Sequence, residues 1–289
     1  MKKLLILSGK GGTGKTTTAA AFIRFSQAEA FAVCDVDAPN LHLVTELRSE
    51  PEYKTYYGMD KACIDSEKCL NCGKCASVCR FDAIKPAEGH YRIDEFGCEG
   101  CAVCTLVCPA KAISMQQDES GTIRLFKDEK TFATAELKMG RGNSGKLVSE
   151  VKSVMTDAAG DAKLAVIDGS PGIGCPVISS VTGVDLALIV TEPSASGLSD
   201  LKRLIHTAEI LQVKLAVCVN KYDACPEKAE EIESYCKQMG IMFVGTMPFD
   251  KKASHAINAG LSIADIDCPL REALKNIYNK TMALMEVSL

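Results

Sequence analysis

Short apolar runs alternate with amphipathic segments at both ends of the chain. The apolar runs predict strands at 4–8, 31–37, 164–168, 186–191, 215–220 and 242–247. The amphipathic segments predict helices at 15–25, 146–158, 197–211, 226–239 and 269–285. Nearly continuous apolar strands that alternate with helices are typical of a mostly parallel sheet with helices on both faces. We therefore predict an α/β fold.

This alternation is interrupted between about residues 59 and 115, where the chain is rich in cysteine and lacks long elements. The interrupting segment repeats internally, because the stretch from Ile64 to Ile84 aligns with the stretch from Ile93 to Ile113. Every cysteine of the first copy matches one of the second at a constant offset, which indicates a tandem duplication. We predict that residues 59–117 form a domain inserted into an α/β domain made of residues 1–58 and 118–289.

Composition narrows the function. The chain has 289 residues, 47% of them hydrophobic, and a net charge of −4, so no nucleic-acid partner is expected. Fifteen cysteines favour metal chemistry over a disulfide framework. The first apolar run stops at Ser8, too early for a signal peptide, and no run approaches the length of a membrane span. We expect a cytoplasmic location, since reduced thiols and cluster assembly require one, and membrane association is not expected.

A phosphate-binding loop follows the first predicted strand. Its sequence, Gly9-Lys10-Gly11-Gly12-Thr13-Gly14-Lys15-Thr16, fits the pattern G-x-x-x-x-G-K-S/T and opens a predicted helix. The glycines allow backbone N–H groups to turn toward phosphate oxygens, and the helix N-terminus adds its dipole. Lys15 is expected to reach the β- and γ-phosphates and Thr16 to ligate Mg²⁺, with Thr17 completing the cradle.

The lysine directly after the first glycine, Lys10, marks the deviant form of this loop. In this feature the chain resembles the MinD/ParA/Mrp superfamily of P-loop ATPases, which also includes the nitrogenase iron protein. The resemblance implies the SIMIBI-type fold and an ATP-bound homodimer in which Lys10 touches the partner's nucleotide. A solvated loop lysine is the plainer alternative.

Two acidic segments match the same family. Asp35 and Asp37 lie in a segment similar to the family's D-x-D, which implies that Asp35 contributes to the Mg²⁺ shell and that Asp37 orients the attacking water. Asp168 ends a strand similar to the Walker B strand and would hold Mg²⁺, with Gly172 in the switch segment beyond it. The resemblance thus implies a catalytic set of Lys10, Lys15, Asp37 and Asp168. Aspartates at strand ends also serve as helix caps or turn formers.

Base recognition is ambiguous in the sequence. The segment Asn220-Lys221-Tyr222-Asp223 formally matches the guanine-binding pattern N-K-x-D. In MinD-like proteins the corresponding asparagine reads adenine, and the loop at Pro248 would line the same base. We favour ATP over GTP because Lys10 outweighs a four-residue match.

The insertion carries two cysteine runs with the spacing C-x-x-C-x-x-C-x-x-x-C, which is that of bacterial ferredoxins with two 4Fe–4S clusters. In this arrangement the fourth cysteine of each run ligates the other cluster. The first cysteine set is therefore Cys69, Cys72, Cys75 and Cys108, and the second cysteine set is Cys98, Cys101, Cys104 and Cys79. Structural zinc is the main alternative. Arg80 stands where proline usually follows the fourth cysteine, and it is expected to affect a cluster's potential without removing a ligand.

Cys175 lies beyond the switch segment, where the nitrogenase iron protein has a cluster ligand. A redox role at a dimer axis and simple packing both remain open for it. Cys34 and Cys218 are expected to be small buried hydrophobes.

The main functional hypothesis is an ATPase that couples nucleotide-driven dimer switching to electron transfer through two 4Fe–4S clusters, with a redox or iron–sulfur protein as partner. The alternatives are an iron–sulfur cluster carrier or a MinD-like positioning switch. A carrier is less favoured here, because the chain lacks the C-terminal C-x-x-C of Mrp-type carriers.

Overall fold

The structure is a computed structural model that describes residues 1–36, 49–87 and 89–286. It divides into two compact units. The core unit comprises Met1–Tyr53, Ile123–Glu136 and Ser144–Leu289, and the cysteine unit comprises Lys54–Thr122 and Leu137–Asn143. The predicted insertion, 59–117, lies within the sequence range of the cysteine unit. Its assignment as a ferredoxin domain stays a prediction.

Nine strands of the described residues form one sheet in the order β13-β12-β11-β1-β10-β2-β9-β8-β3. Their bounds are Lys2–Ser8 (β1), Ala30–Val33 (β2), Glu52–Tyr57 (β3), Glu119–Lys127 (β8), Thr131–Leu137 (β9), Leu164–Pro171 (β10), Leu186–Thr191 (β11), Lys214–Asn220 (β12) and Met242–Met247 (β13). Every pairing from β13 to β9 is parallel. The predicted α/β fold with a mostly parallel sheet is confirmed.

Helices connect these strands. Their bounds in the core unit are Lys15–Ser26 (α1), Ser144–Ala158 (α4), Cys175–Val181 (α5), Ala195–Ile210 (α6), Pro226–Gln238 (α7), Lys251–Asn258 (α8) and Pro269–Glu286 (α9). The last helix packs into the core, because Leu274 is fully buried and Ile277 is 1% exposed. The apolar side of α9 is therefore part of the core. In the part of the chain that the structure describes, no helix is long and apolar enough to cross a membrane.

The sequence patterns missed three strands, β3, β8 and β9, and two helices, α5 and α8. β3 is exposed at five of its six residues, and its side chains are mostly polar, so no apolar run marks it. β8 alternates between buried and less buried positions, as a strand near a sheet edge does. α5 has only seven residues, which is too few for a clear helical period.

The centre of the core is β1, which lies between β10 and β11. Leu4, Leu5 and Ile6 are completely buried. Burying a side chain of this size contributes about 1.5–3 kcal/mol. The core therefore fixes the end of β1, from which the phosphate-binding loop starts.

The cysteine unit repeats a strand–helix–strand motif. Its further elements are Lys61–Ile64 (β4), Lys74–Val78 (α2), Ile84–Ala87 (β5), His90–Ile93 (β6), Val103–Val107 (α3) and Ile113–Gln116 (β7). β4 pairs with β7 and β5 pairs with β6, both antiparallel. Each small sheet thus takes one strand from each copy, so the two repeats fold together.

Candidate functional site

The phosphate-binding loop joins the end of β1 at Ser8 to the start of α1 at Lys15. Gly12 and Gly14 have φ angles of 78° and 95°, in the left-handed region that side chains rarely adopt. A Cβ on Gly14 would lie 2.3 Å from the Asn220 Nδ2 atom. Glycine at this position therefore serves both the turn and the close approach of Asn220.

Lys15, Thr16 and Asp168 form a hydrogen-bonded group at the start of α1. Lys15 Nζ donates to Asp168 Oδ1 at 2.7 Å, and Thr16 Oγ1 donates to Asp168 Oδ2 at 2.8 Å. Lys15 is 5% exposed and Asp168 1% exposed. A buried cation, a hydroxyl and a carboxylate are thereby held together, as binding of a phosphate and a divalent cation requires.

The second acidic segment is only partly described. Asp35 Oδ2 lies 3.9 Å from Lys15 Nζ, on the open side of the same group. Asp37 lies outside the described residues, and its role stays a prediction. Cys34 is fully buried, and burial raises the pKa of its thiol to about 12. It packs as a small hydrophobe, as the sequence indicated.

The segment after β12 fastens the phosphate-binding loop. Asn220 Nδ2 donates to the carbonyl of Thr13 at 2.8 Å, and Lys221 Nζ donates to that of Gly12 at 3.0 Å. Asp223 Oδ1 accepts the backbone N–H of Phe249 at 2.8 Å, which ties this segment to the loop at Pro248. The segment at Asn220 and the loop at Pro248, which were predicted to line the base, are thus hydrogen-bonded to each other. The segment at Asn220 is also hydrogen-bonded to the phosphate-binding loop.

Glu192 is a residue that the sequence reasoning missed. It directly follows β11 and pairs with Lys10 at 3.0 Å and with Lys221 at 2.6 Å. Burial raises its pKa, but the hydrogen bonds from Lys221 and Lys10 outweigh that effect and leave the pKa below its usual value. Its position at the carboxyl end of a strand beside β1 is the signal that could have found it.

A cleft of about 460 Å³ opens over the phosphate-binding loop. Its size falls in the range of small-molecule sites. The predicted site residues that line it are Lys10, Gly11, Gly12, Thr13, Gly14, Lys15, Thr16, Thr17, Asp35, Asn220 and Pro248. Of the described site residues, Gly9, Asp168 and Gly172 lie outside this lining. Gly9 instead packs against Asp200, and the N–H of Gly172 donates to the carbonyl of Ser8 at 3.0 Å.

The switch segment after Asp168 leads into α5, which begins at the exposed Cys175. Lys152, which is 8% exposed on α4, donates to the last carbonyls of α5. The Lys152 Nζ atom lies 2.8 Å from the carbonyl oxygen of Ser179, 2.7 Å from that of Ser180 and 2.6 Å from that of Thr182. These bonds satisfy carbonyls that a helix end leaves unpaired. A lysine inside an amphipathic helix gives no sequence signal for this role.

The first cysteine set converges on one cavity in the cysteine unit. Cys69, Cys72, Cys75 and Cys108 all line it. The fourth thiol, that of Cys108, is held by a backbone contact, because the N–H of Ala112 donates to Cys108 Sγ at 3.3 Å. Burial raises the pKa of Cys75, and the charges of Cys69 and Cys108 raise it further. The thiolate form of Cys75 therefore needs nearby positive charge to be stabilised.

The second cysteine set converges on another cavity in the same unit, lined by Cys98, Cys101, Cys104 and Cys79. Burial raises the pKa of Cys104, and the charges of Cys98 and Cys101 add to that rise. In both sets the fourth cysteine comes from the other run of the sequence. The structure thus groups the thiols in the two sets that the spacing predicted.

The donor set of each cavity is four cysteine thiols, which is the donor chemistry that an iron–sulfur cluster takes. Among the described residues, no group of three or more His, Cys, Asp or Glu side chains is arranged to hold one metal ion. Four thiols spread around a cavity match a cubane, whose four irons each take one thiolate. A tetrahedral zinc site would need four sulfurs within about 2.3 Å of one point.

Comparisons with known proteins place this geometry in a family. The model described as the CobQ/CobB/MinD/ParA nucleotide-binding domain matches residues 4–263. An uncharacterized protein of Methanocaldococcus jannaschii is 33% identical over 285 residues, which cover 96% of this chain and 95% of that protein. The iron–sulfur cluster carrier protein of Pyrococcus horikoshii is 24% identical over 301 residues, which cover 96% of this chain and 84% of the carrier.

A solved structure supports the fold. The septum site-determining protein MinD complexed with Mg-ADP from Pyrococcus horikoshii OT3 superposes with a TM-score of 0.59 at 17% identity, covering 100% of this chain and 98% of that one. The matched range begins in β1, before the phosphate-binding loop, and ends beyond the segment at Asn220. The chain belongs to the CobQ/CobB/MinD/ParA nucleotide-binding family of P-loop proteins.

Proposed function

We propose that this chain is an Mg·ATP-hydrolysing iron–sulfur protein that carries 4Fe–4S clusters at its two cysteine sets. The observation that carries the proposal is the convergence of each four-cysteine set on its own cavity. We further propose that the protein is a carrier, which passes its clusters to other proteins. This role is supported by relatives named iron–sulfur cluster carrier proteins, which match across most of this chain. A relative from Drosophila melanogaster is named a cytosolic Fe–S cluster assembly factor Nubp1 homolog.

The nucleotide half of the proposal rests on the group of Lys15, Thr16 and Asp168. Lys15 would neutralise charge on the β- and γ-phosphates, while Thr16 and Asp168 would hold Mg²⁺. Asp35 lies beside the same group and would join the metal shell. The N-terminus of α1 adds backbone donors. Phosphoryl transfer depends mainly on such positioning and charge neutralisation, so these residues are sufficient for ATP hydrolysis if Asp37 orients the water.

The preference for adenine rests on Asp223. A guanine-specific aspartate accepts two N–H groups of the base through its two carboxylate oxygens, and one of these oxygens in Asp223, Oδ1, is engaged by the backbone N–H of Phe249. We therefore propose that Asn220 and the loop at Pro248 line an adenine. The mutual pairing of Lys10 and Glu192 gives Lys10 an internal partner, and in an ATP-bound homodimer Lys10 would exchange that partner for the other subunit's nucleotide.

A cluster carrier must be able to release its clusters to an acceptor protein. Each cysteine set has one exposed thiol, Cys72 in the first and Cys101 in the second. An acceptor thiol could attack iron at these positions without unfolding the unit. This exposure supports the carrier proposal, in which a cluster passes to an acceptor.

A second candidate function is ATP-driven electron transfer through the same clusters. It is favoured by the burial of Cys75, Cys98 and Cys104, because ligands of a permanent cluster are shielded from exchange. A redox protein would then be the partner in place of an apo-acceptor.

One experiment separates the two candidates. Anaerobically reconstituted protein is mixed with apo-ferredoxin, with and without Mg·ATP, and cluster transfer is followed by circular dichroism. The carrier proposal expects transfer that ATP accelerates in the wild type but not in Lys15→Ala. Clusters that stay on the protein while ATP drives reduction of an acceptor would support the electron-transfer candidate, and absence of ATP hydrolysis would contradict both.

A further inference from the structure

The two cysteine cavities are built from equivalent residues, because the repeats that form them are copies. Ile64 in the first cavity corresponds to Ile93 in the second, and Ile113 corresponds to Ile84. The cavity walls are therefore alike in backbone and in apolar lining. Any chemical difference between the cavities arises at the few lining positions where the copies differ.

Among the equivalent positions that line both cavities, three differ in charge or in hydrogen-bonding capacity. The residues concerned are Leu70, Lys74 and Tyr91 in the first cavity and Glu99, Val103 and Ala62 in the second. The first cavity thus has a cation and a hydroxyl where the second has only apolar side chains. The second has an anion where the first has a leucine. All three differences act in the same direction, toward a more positive first cavity.

Tyr91 is the most specific of these differences. It is half-buried on β6, and its hydroxyl oxygen lies only 2.7 Å from the point that a Cβ on Gly73 would occupy. Gly73 stands between Cys72 and Cys75, so the hydroxyl lies against the ligand loop of the first set. A donor at this place stabilises negative charge on cluster sulfur, and the second cavity has no equivalent because Ala62 takes the position.

Two cations belong to the side of the second set. Lys61 Nζ donates to the carbonyl of Cys98, and Arg80 directly follows Cys79. Neither side chain is among those that line the second cavity. Lys61 is half-buried, but its ammonium group is paired with a backbone carbonyl. Lys74, Glu99 and Arg80 are all exposed, so water weakens their effects. The difference therefore depends most on the half-buried Tyr91 hydroxyl against the ligand loop of the first set.

We infer that the cluster bound by the first cysteine set has the higher reduction potential of the two. This inference rests on the proposed binding of two 4Fe–4S clusters. A one-electron donor of low potential, such as reduced ferredoxin, loses one electron, and one cluster passes from its 2+ to its 1+ state without a bond being made or broken. The electron resides at the first set, and a second electron is needed to reduce the second set.

The test is a redox titration of the anaerobically reconstituted full chain, followed by EPR, which reads potentials independently of any activity. The wild type is expected to reduce in two separate one-electron steps. Tyr91→Phe removes only a hydroxyl and is expected to lower the higher of the two potentials and leave the other unchanged. Tyr53→Phe, a matched change at an exposed tyrosine of the core unit, is the control and should move neither.

Two exchange variants test the charges at constant composition and net charge. One combines Leu70→Glu with Glu99→Leu, and the other combines Lys74→Val with Val103→Lys. Each exchange is expected to narrow the difference between the two reduction potentials. Equal potentials in the wild type, or a gap that both exchanges leave unchanged or widen, would overturn the inference. Protein without iron and labile sulfide would instead overturn the proposed function on which the inference rests.

Discussion

At the scale of single residues, the nucleotide site depends on a few close approaches. Gly14 and Asn220 show this clearly, because the glycine is required both by its φ of 95° and by the amide that approaches it. The phosphate-binding loop was predictable because its glycines and Lys15 follow a fixed spacing. Glu192 was not, because its importance arises from two lysines that are distant in sequence.

Gly14→Ala should weaken ATP binding at least about tenfold, because the added Cβ displaces Asn220 and strains the loop. Isothermal titration with Mg·ATP measures the change. Gly240→Ala is the matched control, since Gly240 also has a positive φ, 69°, but nothing lies within 4 Å of its added Cβ. Equal losses of affinity in the two variants would contradict the role given to Asn220.

Glu192→Gln should lower the free energy of unfolding by about 1 kcal/mol at pH 7, because two lysines lose a carboxylate partner. The folded-state pKa of Glu192 lies below the unfolded value, so its stabilisation is present above about pH 4.5 and is lost as pH falls through the folded pKa. Urea titrations at several pH values measure the difference from wild type.

The exposed Glu230 on α7 supplies the control for that comparison. Glu230→Gln should change the unfolding free energy little at any of these pH values. A destabilisation by Glu192→Gln that persists undiminished at about pH 3 would show that its charge is not what holds the lysines.

At the scale of elements, the parallel strands other than β9 were predictable because each is a short, mostly apolar run. The strands β3, β8 and β9 were not, because polar and apolar residues mix along them. The contact between α4 and the end of α5 was also hidden. In the sequence, Lys152 is only one polar residue of an amphipathic helix. In the structure, it donates hydrogen bonds to the carbonyls at the end of α5, the helix that follows the switch segment.

Lys152→Met should destabilise the protein by about 2–3 kcal/mol at pH 7, because the carbonyls of Ser179, Ser180 and Thr182 lose their donor. Burial lowers the pKa of Lys152 to about 8. Above that pH the folded state has lost a proton that the unfolded chain keeps until about pH 10.5, so stability from this group rises with pH in that window.

Urea titrations between pH 7 and 10 follow this linkage. The difference in unfolding free energy between wild type and Lys152→Met should widen above about pH 8. Lys163→Met, at an exposed lysine, should show no such widening. A difference that stays constant across the range would mean that Lys152 keeps its proton throughout.

At the scale of the whole molecule, a P-loop core and a duplicated cysteine unit share one chain. The repeated cysteine spacing predicted the duplication. It also predicted the two cysteine sets, because the fourth cysteine of each copy lies with the first three cysteines of the other. The different linings of the two cavities were not readable as such, because the facing residues come from separate strands and loops. Asp37 lies outside the described residues, and its role stays a prediction.

The most direct test of the central claim is the iron and acid-labile sulfide content of anaerobically reconstituted protein. Two cubanes require about eight iron and eight sulfide per chain. Cys75→Ser and Cys104→Ser, each at a buried ligand of a different set, should each lower both contents by about half, while Cys218→Ser, at a buried cysteine of the core unit, should not. Wild-type protein that binds zinc without labile sulfide, or ligand variants with unchanged iron, would contradict the account.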